Sequence, residues 1–375
     1  MKKITIFTMQ LKTPGGIERF ISTLAEIFAD EYEVEIVANY GRPTDVLAFP
    51  LPKNIKVTFL EPTQPKEVSL KNLLLKLNWH QIIPELKRRR AINSNRSKAF
   101  KEYLQTLGTD YIITDRALYN SLVAKYYRGT STLIATDHND PHGNSKYINE
   151  LLSSIKKFDY LVVATEKLKK IYTPKTKIRC IAISNPLPNV PTKKSPLNTQ
   201  NILSVGRLVP EKDFPLLINT MDIVNQQNPN IHLTIIGDGI EKSRLQKQIK
   251  DLHLENVISL TGWLPQEQIA KYYYRSSLFI LTSHDEAFGL VLTEAMSYGV
   301  PCIALARASG ACAQITKNTG ILINSADPHV IANTILQSLS NQEYLKSLQH
   351  AINNEIETKY SKKTIKKEWE KLLNL

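Results

Sequence analysis

Apolar and polar positions follow two periods along this chain. Lys3–Met9 sets Ile4, Ile6 and Phe7 between threonines and reads as a short buried strand. Over Gly16–Asp30 the apolar residues Ile17, Phe20, Ile21, Leu24, Ala25, Ile27 and Phe28 recur every three or four positions, the spacing of an amphipathic helix. Further strands are expected at Glu33–Ala38, Ile55–Leu60, Tyr111–Thr114, Thr132–Thr136 and Tyr160–Ala164, with helix-like stretches between most of them. Such alternation implies right-handed crossovers and a mainly parallel sheet. Asn185–Pro196 then places prolines at 186, 188, 191 and 196, which argues against a helix or a central strand. An interdomain linker is expected at residues 186–200. The alternation restarts with strands at Asn201–Val205, His232–Ile236, Val257–Thr261, Leu278–Leu281 and Cys302–Leu305. Helices are expected at Pro215–Gln227, Glu241–Leu252, Gln266–Ser276, Leu290–Tyr298 and Pro328–Leu339. Asn341–Leu375 is charged and helical, and its end from about residue 360, with Trp369 and Leu372, is expected to pack back on the first domain. The pattern predicts an α/β protein of two Rossmann-like domains, 1–185 and 201–359, facing across a cleft where small ligands bind.

Composition fits that picture. The 375 residues are enough for two domains of about 150–200 residues. With 42% hydrophobic and 22% charged residues the profile is that of a soluble globular protein. Nothing approaches the roughly 20 apolar residues that span a bilayer. Met1-Lys2-Lys3 followed by Ile4–Met9 has the look of a signal peptide. The apolar run is short, broken by threonines, and ends at Pro14-Gly15-Gly16 without a small-residue cleavage site, so a first strand and a cytoplasmic setting are expected. Cys180, Cys302 and Cys312 have no CxxC spacing and read as buried thiols. The net charge of +13 favours an anionic partner, whether nucleic acid, an anionic membrane surface or a phosphorylated substrate, without choosing among them.

The candidate chemistry sits where strands end. Ser283–Pro301 begins past a strand and enters a helix near Gly289, so Phe288, Gly289 and Leu290 would offer main-chain donors to an anionic oxygen. Glu286 precedes that helix and Glu294 lies on its second turn, and carboxylates suit sugar hydroxyls. A lone pair of glutamates is more often surface charge; the neighbouring motifs alter that judgement. Gly206-Arg207-Leu208 with Lys212 follows another strand, and two cations there can neutralise a diphosphate leaving group. Gly15-Gly16 and Gly237-Asp238-Gly239 also lie between strand and helix and permit close main-chain approach, although the full GxGxxG fingerprint is missing. No GxxxxGK[ST] occurs, which argues against P-loop chemistry.

Taken together, Gly15-Gly16, Gly206-Arg207-Leu208 with Lys212, Gly237-Asp238-Gly239, Gly262-Trp263, and Glu286 followed eight positions later by Glu294 resemble the family 4 glycosyltransferases, which have the GT-B fold. The resemblance runs through nearly the whole chain and is strongest from Asn201 to Pro301. It implies that Arg207 and Lys212 bind the diphosphate of a nucleotide sugar, that Glu286 contacts the donor sugar, and that Glu294 binds the ribose. Phe288, Gly289 and Leu290 would hold sugar and phosphate by main-chain amides. Gly262, Trp263 and Leu264 would lie near the base, Gly15-Gly16 near the diphosphate, and Gly237 at the donor. Relatives often carry a histidine after the strand at Leu133–Ala135. His138 is therefore expected at the sugar's reacting face, with His142 as a competitor. The implied reaction retains anomeric configuration without a protein nucleophile, a metal or a cofactor; the chain has no Asp-x-Asp motif. The Ala308–Cys312 loop departs from the usual small-residue pattern and puts the local donor contacts in doubt.

From Lys66 to Lys101 there are ten Lys/Arg against Glu67 and Glu85, peaking at Lys87-Arg88-Arg89-Arg90 and interleaved with Leu70, Leu73, Leu74, Leu75, Leu77, Trp79, Ile82, Ile83 and Leu86. This mixture suits a helix lying on anionic lipid, and equally a solvated basic helix packed by its leucines. No nucleic-acid motif accompanies the charge, and nucleic acid is ranked last. The reading is a transferase moving a hexose, with uridine diphosphate sugars ahead of guanosine diphosphate mannose, to a glycan or lipid-linked acceptor. An enzyme for protein or small-molecule acceptors and a non-catalytic partner subunit are the alternatives.

Overall fold

The computed structural model of the chain describes residues 1–62, 79–141 and 143–374. Strand β1 (Lys3–Thr8) is buried along almost its whole length, as a central parallel strand covered on both faces must be. Helix α1 (Gly16–Phe28) follows and buries the predicted stripe of Phe20, Ile21, Leu24, Ala25, Ile27 and Phe28. The order continues β2 (Glu33–Tyr40), β3 (Lys56–Glu61), α2 (Trp79–Thr106), β4 (Tyr111–Thr114), α3 (Ala117–Tyr126), β5 (Thr132–Asp137), α4 (Ser145–Ser154), β6 (Tyr160–Val163), α5 (Glu166–Tyr172) and β7 (Arg179–Ala182). These seven strands form one all-parallel sheet in the order β3-β2-β1-β4-β5-β6-β7.

The second series is β8 (Asn201–Val205), α6 (Phe214–Gln227), β9 (His232–Ile236), α7 (Lys242–Asp251), β10 (Ile258–Gly262), α8 (Gln266–Arg275), β11 (Leu278–Leu281), α9 (Leu290–Ser297), β12 (Cys302–Leu305), α10 (Ser309–Gln314), β13 (Gly320–Ile323), α11 (Pro328–Ser340), α12 (Gln342–Glu355) and α13 (Lys362–Leu373). Its sheet is again all parallel, in the order β10-β9-β8-β11-β12-β13. One face is covered by the Leu217, Ile218, Met221, Leu245, Ile331 and Ile335 side chains of α6, α7 and α11. The other is covered by Tyr273, Leu292, Met296, Leu348 and Ile352 from α8, α9 and α12.

In both sheets the order reverses beside the first strand, at β1/β4 and at β8/β11. In open α/β sheets the carboxyl ends of the two strands at such a reversal are where ligands bind. The chain divides into two compact units: residues 1–163, 169–182 and 369–375, and residues 164–168 and 183–368.

Three sequence expectations need adjustment. Strands β7 and β13, four residues each at sheet edges, carry too short an apolar run to be read. The proline-rich stretch forms neither helix nor strand, yet it is packed rather than loose. Leu187 is buried and its N–H donates to the Tyr360 carbonyl at 3.0 Å, and the Ser195 N–H donates to the Tyr298 carbonyl at 2.7 Å. Prolines exclude regular hydrogen bonding but do not forbid burial. Finally, the charged helical segment at the end is made of two helices, α12 and α13, joined by a π-helical turn at Ile356–Tyr360. The end of α13 belongs to the first unit, where Trp369 is fully buried with its ring 6.0 Å from that of Phe28.

Candidate active site

In the second unit, β8 ends at Val205 and the chain turns through Gly206-Arg207-Leu208. This turn lies main chain to main chain on the one after β9. Gly206 N–H donates to Ile236 O at 3.0 Å, and Leu208 N–H to Asp238 O at 2.9 Å. A Cβ on Gly237 would sit 1.8 Å from the Gly206 oxygen, and one on Gly239 would sit 2.3 Å from the Leu208 oxygen. The glycines of Gly237-Asp238-Gly239 thus have a packing reason that needs no ligand. Arg207 is exposed. A 3₁₀ turn, Pro210–Lys212, follows and delivers Lys212 to Glu286, with which it forms a part-buried ion pair. The Ser283 hydroxyl donates to the same Glu286 oxygen at 3.2 Å. Lys212 comes from the end of β8 and Glu286 from the end of β11, the two strands at the reversal.

Beyond Glu286, Gly289 takes a left-handed conformation (φ 78°) that glycine adopts without strain, and caps α9. In the first turn of α9 the Leu292 N–H already donates to Gly289 O at 2.9 Å; the N–H groups of Leu290 and Val291 ahead of it lie at the positive end of the helix dipole. The Phe288 ring is buried 6.0 Å from that of Tyr360, so only its main chain can serve a ligand. Glu294, on the second turn of α9, accepts from the Tyr273 hydroxyl at 3.2 Å. At the end of β10, Gly262 is left-handed (φ 79°), Leu264 is half-buried, and Trp263 is 58% exposed, a large aromatic face left in solvent.

The first unit presents a different chemistry at its own reversal. Gly15 caps α1, and Glu18 in the first turn is held above the usual carboxylate range by burial. At the end of β4, buried Asp115 accepts from Thr8 Oγ1 at 2.7 Å and pairs with Arg116 at 3.0 Å. At the end of β5, the His138 ring lies 4.4 Å from that of Phe20, and its Nε2 is 2.9 Å from Thr136 Oγ1. That hydroxyl already donates its single proton to Thr114 O at 3.0 Å, so it must accept from Nε2–H. The Nδ1 lone pair is then left to accept a hydrogen bond. Burial, aided by the Arg116 charge, pushes the His138 pKa down to about 3, which fixes the ring as neutral. Its neighbour Asp137 is buried and accepts from the Tyr147 and Tyr172 hydroxyls at 2.5 and 2.6 Å, anchoring the turn. His142 lies outside the described residues.

With two doubly wound sheets and this set of strand-end residues in place, comparison with known proteins is decisive. Residues 190–357 match the family model described as "Glycosyl transferases group 1". Over those residues the second unit of the chain is similar to this family. It is 27% identical over 397 aligned positions to the amylovoran biosynthesis glycosyltransferase AmsD of Erwinia amylovora, covering 100% of both chains. It is 26% identical to an exopolysaccharide phosphotransferase of Streptomyces coelicolor, where 99% of this chain spans 40% of the relative. Among solved structures, S. aureus TarM in complex with fondaparinux, alpha-GlcNAc-glycerol and UDP superposes with a TM-score of 0.81 at 16% identity, over 100% of both chains. That likeness establishes the GT-B fold.

The site is also held by residues that carry no motif of their own in the sequence. Helix α10 braces the Glu286 loop: Gly310 N–H donates to Glu286 O at 2.6 Å, and the buried Gln314 amide donates to the Phe288 carbonyl. Arg307, just before α10, contacts Asp213, the residue after Lys212. The only signal in the sequence was the unusual Ala308–Cys312 stretch, and it did not indicate what that stretch touches. Among the described residues, no group of three or more His, Cys, Asp or Glu is placed to hold a metal ion. Cys180 and Cys302 are buried, whereas Cys312 is only half-buried.

The basic cluster is not the uniform surface that its charge count implied. Helix α2 buries Ile82, Glu85, Ile92, Phe100 and Leu104. Arg88 and Arg89 turn toward Glu85, each pairing with it at 2.7 Å and holding its pKa down to about 2. Lys87 and Arg90 are exposed on a separate stripe with Ile83 (55% exposed) and Leu86 (41%), at helical spacing i, i+3, i+4, i+7. The part of the basic segment from Lys66 to Asn78 lies outside the described residues. Among the described residues no helix is long and apolar enough to cross a membrane.

Proposed function

We propose that this protein is a retaining family 4 glycosyltransferase that moves a hexose from a uridine diphosphate sugar to a glycan or lipid-linked acceptor in cell-surface polysaccharide or glycolipid synthesis. The observation that carries the reading is the convergence of Lys212 and Glu286 beside the N-terminus of α9, at the carboxyl ends of β8 and β11. A cation, a sugar-binding carboxylate and a helix N-terminus are what a diphosphate sugar requires. Uridine is favoured by the UDP in the TarM complex, and a polysaccharide product by the AmsD name.

In the proposed reaction the bond from the anomeric carbon to the phosphate oxygen breaks. The acceptor oxygen bonds to the same face of that carbon, and its proton passes to the departing phosphate oxygen. Arg207, Lys212 and the α9 N–H groups stabilise the leaving diphosphate. Glu286 exchanges its ion pair with Lys212 for sugar hydroxyls once the diphosphate takes over the lysine. Glu294 receives the ribose and Trp263 the base. His138, neutral with Nδ1 unprotonated, accepts from a donor-sugar hydroxyl. With two cations available for the diphosphate, no divalent metal is needed. The exposed Ile83, Leu86, Lys87 and Arg90 stripe supports peripheral attachment to the anionic inner face of the cell membrane.

The test is calorimetry of the purified protein against uridine, guanosine and adenosine diphosphates and their sugars, with and without chelator. Saturable binding of a uridine diphosphate sugar that survives chelation and disappears in Glu286→Ala is expected. Binding of guanosine diphosphate mannose alone would move the donor to that class. Binding of none would refute the transferase reading of this site.

A further inference from the structure

We propose that Arg307 is the positioning residue for Lys212, acting through the left-handed Asp213; the proposal rests on reading Lys212 as a diphosphate-binding cation. Asp213 directly follows Lys212 and caps α6 with φ 49° and ψ 46°. Only glycine enters that region freely; other residues need local contacts to hold them there. Asp213 has them. Its carboxylate receives Arg307 Nη2 at 2.7 Å and lies 3.0 Å from His284 Nε2.

The same Arg307 nitrogen donates to the Thr282 carbonyl at 2.8 Å. Thr282 closes the network: its hydroxyl lies 2.9 Å from the Lys212 carbonyl and 3.1 Å from that of Asp213, shared between the two. One guanidinium therefore ties the loop after β8 to the end of β11. These are the two segments that bring Lys212 and Glu286 together. Planar, forked donors suit this bridging role, which a lysine ammonium would fill less well.

The alternative is that Arg307 meets the ligand itself. The two ideas separate in a double-mutant cycle, because glycine at 213 needs no brace. Arg307→Met should speed amide exchange over residues 210–214 and weaken binding of UDP roughly ten- to a hundredfold, the range for a lost hydrogen bond to a charged group. Asp213→Gly alone should stay within a few-fold of the parent protein. Arg307→Met placed on Asp213→Gly should then add almost nothing in either measurement. An equal loss of UDP affinity from Arg307→Met in both backgrounds overturns the proposal. The exchange measurement needs no ligand and keeps the two readings separable. If the parent protein binds neither UDP nor GDP, the diphosphate reading fails while exchange still decides the brace: faster exchange in Arg307→Met that Asp213→Gly cancels supports it, and unchanged exchange overturns it.

Discussion

Replacing Gly310 by alanine would test whether α10 sets the position of the Glu286 loop. A Cβ at 310 would lie 2.4 Å from Phe288 O, 2.5 Å from Phe288 C and 2.8 Å from Glu286 O, all main-chain atoms with no rotamer to yield. To bring the nearest contact to 3.0 Å, the shortest that real Cβ atoms tolerate, the two segments must part by at least 3.0 − 2.4 = 0.6 Å. Two effects compete in stability. Alanine gains up to about 1 kcal/mol of helix propensity over glycine, less in a first turn. Overpacking costs about 1–3 kcal/mol. The net loss should lie between about zero and 3 kcal/mol, within the stability of an ordinary domain, and the protein should fold. Function should suffer more. The displaced atoms are the backbone of Glu286 and Phe288 at the entry to α9, and a misplacement on the order of 1 Å can cost about a hundredfold in rate. The assay is release of nucleoside diphosphate from the donor identified by calorimetry, run beside thermal unfolding. Gly108→Ala is the control, since nothing lies within 4 Å of its new Cβ. Turnover in Gly310→Ala equal to that of the control, at an unchanged unfolding midpoint, would refute the idea that this strap places the donor loop.

Arg207→Ala should reduce turnover by about a hundredfold or more, the scale of losing one charge-stabilising donor, with little change in the unfolding midpoint because the side chain is exposed; parent-like turnover would remove Arg207 from the site. His138, with its pKa lowered from 6.5 to about 3, should show no imidazole titration above pH 5 by NMR. The sign follows from linkage: below pH 6.5 the unfolded chain takes up a proton that the folded one refuses. Stability from this residue should therefore fall as pH drops from about 6.5 toward 3, and a titration midpoint near 6.5 would contradict the burial argument. Lys87→Glu with Arg90→Glu should abolish sedimentation with phosphatidylserine vesicles at low salt, whereas Arg88→Gln with Arg89→Gln should instead loosen α2. Vesicle binding that depends on Arg88 and Arg89 but not on Lys87 and Arg90 would refute the exposed-stripe reading.

What could be read from the sequence follows from range. The turn from β8 to Lys212 and the entry through Gly289 into α9 are local: a strand ends, a glycine turns, a helix begins, and each step leaves its residue type in the string. The contacts that hold them are not local. Arg307 and Asp213 are 94 positions apart. The Gly310 contact with Glu286 depends on β11 and β12 being sheet neighbours. Neither could be inferred before the strand order was known. The cations at 87–90 divide into two pairs for another reason. Counting charge ignores rotation, and at 3.6 residues per turn four consecutive cations point in different directions. Two of them meet Glu85, which on the charge count alone was only a minor deduction.

The two sheets share a strand order around their reversal points, yet the charges placed there differ. In the second unit the strand-end segments of β8 and β11 carry an exposed Arg207 and the Lys212–Glu286 ion pair, with a helix N-terminus alongside. In the first, Arg116 is matched by Asp115, and His138 is held neutral by burial. A diphosphate brings two or more negative charges, and only the second arrangement offers cations whose partner can leave. The first can offer main-chain donors at Gly15-Gly16 and a hydrogen-bond acceptor at His138 Nδ1, which suit uncharged hydroxyls. The strand order alone cannot assign these roles, because it is the same in both halves. The assignment comes from whether each cation is already committed: Arg116 is fixed to a fully buried carboxylate, while Lys212 is paired with a part-exposed glutamate whose proposed alternative partner is the donor sugar.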